Sequence, residues 1–182
     1  MEFIDGIELK DKIKSGPIST EETINIAIQI AKGLEAAHKK GIIHRDIKSQ
    51  NVMIAEEDKV KIMDFGLAKI QGETGITKND STPGTVSYMS PEQARGEAVD
   101  SRSDVFSFGI LLYKMFAGVS PFEGGDRVST IAKILEAKQE PIRQKNATLP
   151  AELERIIDKC LQKDPNDRYQ NTRDLAIDLR SL

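Results

Sequence analysis

His44-Arg45-Asp46-Ile47-Lys48-Ser49-Gln50-Asn51 is a polar run set between two short apolar stretches, Gly41-Ile42-Ile43 and Val52-Met53-Ile54. The pattern predicts two short strands flanking a polar loop. A loop held between buried strands presents several polar side chains to one point at fixed geometry. Here they are a carboxylate (Asp46), an ammonium two residues on (Lys48) and an amide five residues on (Asn51). The set suits phosphoryl transfer: the carboxylate accepts a hydroxyl proton, the ammonium neutralises phosphate, and the amide oxygen ligates a hard cation.

Outward from this loop, the next apolar stretch, Lys59 to Met63, ends in Asp64-Phe65-Gly66, and the chain then reaches Ser90-Pro91-Glu92. In that order the three motifs resemble the catalytic loop, the DFG and the APE-like triplet of eukaryotic-type protein kinases. The resemblance covers nearly the whole chain. Lys48, two residues past Asp46, and Gly84-Thr85 ahead of Tyr88 are similar to the Ser/Thr branch. The run Met89-Ser90-Pro91-Glu92-Gln93-Ala94-Arg95-Gly96 looks most like bacterial members of it.

The resemblance implies roles residue by residue. Asp46 would be the catalytic base, Lys48 would support the transferring phosphate, and Asn51 and Asp64 would hold Mg²⁺ on ATP. Thr85 would contact the catalytic loop and help set hydroxyl preference, and Phe65 belongs to the DFG. Arg45 would pair with a phosphate on the activation loop, with Ser81 and Thr82 as first candidates, then Thr77 and Thr74. Glu92 and Arg168 would form a buried ion pair, and Asp104 would accept hydrogen bonds from the catalytic-loop backbone. Met1-Glu2-Phe3-Ile4 resembles the hinge, with Glu2 and Ile4 meeting adenine through backbone groups and Met1 at the gatekeeper position. Glu8 would reach the ribose, and Met53 and Leu9 would line the floor under adenine.

The same comparison predicts that residues 1–182 are one C-terminal kinase lobe that opens at the hinge. Gly72-Glu73-Thr74-Gly75 lacks the Gly-rich phosphate-loop pattern, and Val60-Lys61-Ile62 lies directly before Asp64, so it is not the phosphate-lysine strand. The implied partners are a missing N-lobe, in cis or in trans, and proteins carrying Ser or Thr. The alternative is a non-catalytic, kinase-like binding module.

Composition agrees with a globular domain: 182 residues, 38% hydrophobic and 30% charged, with a formal net charge of −3. With no basic block, nothing points to nucleic acid or an anionic membrane. The single cysteine, Cys160, rules out an internal disulfide or a cysteine-rich zinc site. Its neighbours Ile156, Ile157 and Leu161 predict a buried helical thiol. The opening residues do not form a signal peptide. The most apolar stretch, Val105 to Met115, holds Ser107 and Lys114 and is far below the roughly 20 residues of a membrane span. A cytoplasmic protein is expected.

Along the chain, the pattern predicts a short helix from Ile7 to Lys14, broken at Ser15-Gly16-Pro17. A second helix is capped by Ser19 or Thr20, buries Ile24, Ile28, Ala31 and Leu34, and closes at Lys39-Lys40-Gly41 with His38 in a packing or capping role. Residues 67–89 read as a long loop, functional or disordered. Arg102 to Ala117, apolar on most faces, predicts a central buried helix capped by Asp100 or Ser101. Three amphipathic helices follow, over Arg127–Lys138, Pro150–Gln162 and Asn171–Leu182. The expected fold is mainly α (α+β), a helical bundle around a buried central helix with a small two-hairpin antiparallel patch.

Overall fold

A computed structural model describes residues 5–65 and 86–182. Met1, Glu2, Ile4, Thr74, Thr77, Ser81, Thr82 and Thr85 lie outside the described residues.

The core is organised by helix α4, Ser101–Ala117. The Asp100 side chain opens it by accepting the Arg102 amide at 2.8 Å. Gly118 closes it in the left-handed conformation, with φ of 73°. Every residue from Ser103 to Tyr113 is buried, which makes this the central helix that its unbroken apolar composition predicts. Gly109 marks its crossing with α7, Ala151–Cys160. A Cβ at Gly109 would sit 2.6 Å from the Cys160 Cβ. Gly109→Ala should therefore cost about 1–3 kcal/mol by overpacking. Urea denaturation measures this, and an unchanged midpoint would show that the two helices part without penalty.

Helix α2, Thr20–His38, packs beside α4 and against α8, Thr172–Arg180. The Ser19 hydroxyl accepts the Glu22 amide at 3.2 Å, and Glu21 and Glu22 occupy the first turn, where the helix dipole favours acids. Its buried face runs through Thr23, Ile26, Ala27, Ile30, Ala31 and Leu34. Ile24 and Ile28, expected inside, are only half-buried. The stripe is rotated because the helix is covered on one side by other helices and on another by the sheet, where a Cβ on Gly33 would lie 2.9 Å from Ile62 Cδ1.

The sheet departs from expectation. It is one three-stranded antiparallel sheet in the order β1 (Gly6–Glu8), β2 (Val52–Ala55), β3 (Val60–Ile62), not two hairpins. Gly6, Ile7 and Glu8 pair with Ala55, Ile54 and Met53. The first helix, α1 (Leu9–Ser15), therefore starts two residues later than its sequence pattern suggests. Gly6 is needed at that edge, since a Cβ there would lie 2.4 Å from the Ile54 carbonyl oxygen. Gly41-Ile42-Ile43 forms no strand. The Gly41 amide bonds the His38 carbonyl and the Ile42 amide bonds the Ala37 carbonyl, so both close the end of α2.

Two short helices escaped the sequence pattern: α3, Pro91–Arg95, and α6, Ile142–Lys145. Helix α5 covers Arg127–Glu136, and α5, α7 and α8 each end a residue or more before their expected limits. Cys160 is buried, and that burial pushes its thiol pKa well up, as an inert helical thiol requires. Among the described residues, no helix is long and apolar enough to cross a membrane.

Candidate active site

The site is built on Asp104, a fully buried carboxylate in the first turn of α4. Its Oδ2 accepts the His44 amide at 2.9 Å, and its Oδ1 accepts the Arg45 amide at 2.8 Å. The His38 Nε2 donates to Oδ2 at 2.7 Å. A buried carboxylate is costly unless its lone pairs are filled, so these three donors explain how it survives there. In exchange, it holds the start of the 44–51 loop and lets Arg45 adopt a φ of 68°, a conformation that side chains resist.

His44 fixes the next step. Its Nε2 lies 2.8 Å from the Met63 carbonyl oxygen, which can only accept, so Nε2 carries the proton. Nδ1 is then the acceptor for the Asp46 amide at 3.2 Å. The ring also rests against Phe65, with centroids 4.7 Å apart. His44 is thus wholly buried and structural, a role the loop sequence did not reveal.

Asp46 presents its side chain partly to solvent, at 38% exposure. Its Oδ2 accepts from Lys48 Nζ at 2.6 Å and from Asn51 Nδ2 at 3.1 Å. The Asn51 amide nitrogen also bonds the Asp46 carbonyl oxygen at 2.8 Å. With both amide hydrogens committed, Asn51 keeps Oδ1 as an acceptor for a cation. The structure therefore brings Asp46, Lys48 and Asn51 together as their spacing predicts.

Asp64 joins them through its neighbours. The Met63 amide bonds the Asn51 carbonyl oxygen at 2.8 Å, the Met63 carbonyl receives His44, and Phe65 packs against His44 at a tilt of 56°. Asp64 is held between these two anchored residues, with a φ of 54° and its side chain exposed instead of turned into the core. The Asp64 carboxylate is exposed, and it and the Asn51 amide oxygen are both hard oxygen donors of the kind that Mg²⁺ takes. Among the described residues, no group of three His, Cys, Asp or Glu side chains forms a self-sufficient metal cage.

On the far side of the sheet register, half-buried Glu8 lies opposite Met53, which is 9% exposed. Leu9 does not join them. It is wholly buried in the core cluster and has no surface to offer a ligand, because α1 folds it inward immediately after β1.

Below the loop, Glu92 and Arg168 form a bidentate pair at 2.7 and 2.9 Å. Arg168 also donates to the carbonyls of Arg102, Gln162 and Lys163, which satisfies all five of its N–H groups. Its guanidinium lies 4.9 Å from the centre of the Phe106 ring. The Ser103 hydroxyl adds a 2.5 Å bond to Glu92 Oε1. Burial alone would raise the Glu92 carboxyl, but the bonds from Arg168 and Ser103 outweigh it and hold the group below its usual range.

Three contacts were not read from the sequence: His38, expected only to pack or cap, on Asp104; Ser103 on Glu92; and Gln93, whose Nε2 donates to the Arg45 carbonyl at 2.7 Å. Only for His38 did the sequence carry a signal, its place at the end of a helix.

The protein kinase domain model matches residues 1–176. The chain belongs to the protein kinase domain family. Among curated proteins it is similar to a probable serine/threonine-protein kinase of Clostridium perfringens, 43% identical over 183 residues, which covers 100% of this chain and 27% of that protein. A probable serine/threonine-protein kinase of Clostridium acetobutylicum is 41% identical, again over the whole chain and 28% of the relative. Serine/threonine-protein kinase PknB of Mycolicibacterium smegmatis is 40% identical over 98% of the chain and 29% of the relative. The chain thus spans less than a third of the length of these kinases. The helical body around α4 and the small antiparallel sheet are the kinase fold that the motif order implied.

Proposed function

We propose that this chain carries the catalytic half of a Ser/Thr protein kinase, a C-lobe over residues 1–182 that transfers the γ-phosphoryl group of ATP to Ser and Thr hydroxyls of proteins. The observation that carries the reading is the Asp46 carboxylate. One oxygen is engaged by Lys48 and Asn51, and among the described residues no hydrogen-bond donor engages the other, which would take a hydroxyl proton. Mg²⁺ would be held by Asn51 and Asp64, and when bound with ATP it supplies neutralising charge on the phosphates. Lys48, 15% exposed and bridged to Asp46, would support the transferring phosphate. Glu8 and Met53 border the side where the nucleotide would lie, with Glu2 and Ile4 ahead of them in the chain. Arg45 would pair with a phosphate carried by Ser81 or Thr82, and Thr85 would favour an aliphatic hydroxyl. The reading places the chain's work in the cytoplasm, on protein substrates, with an N-lobe completing the nucleotide clamp.

The test joins these 182 residues behind the nucleotide-binding lobe of a relative and measures radiolabelled phosphate transfer from Mg·ATP. Transfer to Ser/Thr peptides and not to Tyr peptides is expected. The 182-residue polypeptide by itself should remain at background, because alignment of the γ-phosphate needs groups on both sides of it. An inactive fusion that still binds ATP would overturn the reading in favour of a binding module.

A further inference from the structure

We infer that Gln93 is a positioning residue for Asp46, through which the helix after the activation segment sets the aim of the proposed catalytic carboxylate. The inference rests on the phosphoryl-transfer reading of Asp46. The peptide group joining Arg45 to Asp46 is gripped at both polar ends. Its N–H donates to His44 Nδ1 at 3.2 Å, and its carbonyl oxygen accepts from Gln93 Nε2 at 2.7 Å. That plane leads directly into the Cα of Asp46, so its rotation would swing the carboxylate. It also follows Arg45, whose left-handed φ of 68° requires outside support.

The other end of the Gln93 side chain is equally committed. Its Oε1 accepts the Ser90 amide at 2.9 Å, and the Gln93 amide donates to the Ser90 hydroxyl at 3.3 Å, closing a capping box on α3. The position therefore needs one acceptor and one donor at the same reach. A glutamine carboxamide supplies both, an ionised glutamate supplies only acceptors, and a lysine supplies only donors. The cap could be made by Glu as readily as by Gln, so the residue type is explained by the bond to Arg45.

Gln93→Glu separates the two roles. It keeps the α3 cap and places a carboxylate against the Arg45 carbonyl. In the joined, ATP-competent polypeptide, kcat should fall about tenfold or more while KM for ATP and peptide stays within about twofold. The deficit relative to the parent should shrink as pH falls toward 5, because protonation restores a donor. Gln93→Met, which has no donor at any pH, should show the same deficit without the recovery. Hydrogen exchange on the 182-residue chain reads the grip without any activity: the Asp46 amide should exchange at least about tenfold faster in both variants, while the α4 amides keep their protection. Unchanged exchange at Asp46, or equal acceleration throughout α4, would overturn the inference. Inactivity of the parent polypeptide would instead count against the kinase reading and leave the exchange measurement to decide on Gln93.

Discussion

Glu92→Ala should lower the melting temperature by about 10 °C, from a loss of about 3–5 kcal/mol. The size follows from what the substitution strands. Arg168 stays charged and buried, its two donors to Glu92 lose their partner, and no water can easily take the carboxylate's place. Ser103 loses its acceptor as well. The pair joins α3 to the segment ahead of α8, so the loss reaches two parts of the core. The pH dependence carries a sign. The folded Glu92 carboxyl lies below its usual value of 4.5, so its stabilising contribution is fully present above that pH and is lost as pH falls through the folded value. The gap between parent and Glu92→Ala should therefore narrow from pH 5 downward. A melting curve unmoved by the substitution, or a gap that widens in acid, would show that the pair does not hold the core together.

Asp46→Asn should reduce phosphoryl transfer in the joined polypeptide by about 10²–10⁴-fold. The amide keeps the size of the carboxylate and removes its charge and its basicity. The Lys48 and Asn51 donors, at 2.6 and 3.1 Å, then face a weaker acceptor, and the substrate hydroxyl finds no base. Stability should barely respond, because the Asp46 side chain is more than one-third exposed and such ion pairs contribute about 0–1 kcal/mol. A melting temperature within about 2 °C of the parent is expected. Steady-state kinetics and calorimetry on the same sample check both halves. Retained transfer would remove Asp46 from the role of base.

How much of this was legible depended on range. Helices α2 and α4 could be read because their caps and apolar spacing are local: Ser19 with Glu22, Asp100 with Arg102, and an unbroken apolar interior between. Strand β1 could not, since Gly6–Glu8 becomes a strand only by meeting Met53–Ala55 from far along the chain. Three residues carry too little pattern to announce such a partner. The site divides in the same way. Asp46, Lys48 and Asn51 lie within one loop, and their spacing alone suggested cooperation. The Glu92–Arg168 pair came from family resemblance and not from periodicity. The link from Gln93 to Arg45 had no local sign, and the place of His38 at a helix end signalled a packing or capping role but not its partner Asp104, because each contact joins segments that only the finished fold brings together.

The buried Asp104 also ties the aim of Asp46 to contacts that are distant in the chain. Its three donors come from His38, His44 and Arg45, separated from it by 66, 60 and 59 residues. Contacts across such separations close late, after local helices have formed, because loop closure must precede them. Until they close, the peptide groups that aim Asp46 have nothing to anchor them. A partly unfolded chain therefore holds the right residues in the wrong arrangement. The direction in which Asp46 points is therefore a property of the whole fold and not of the 44–51 loop by itself.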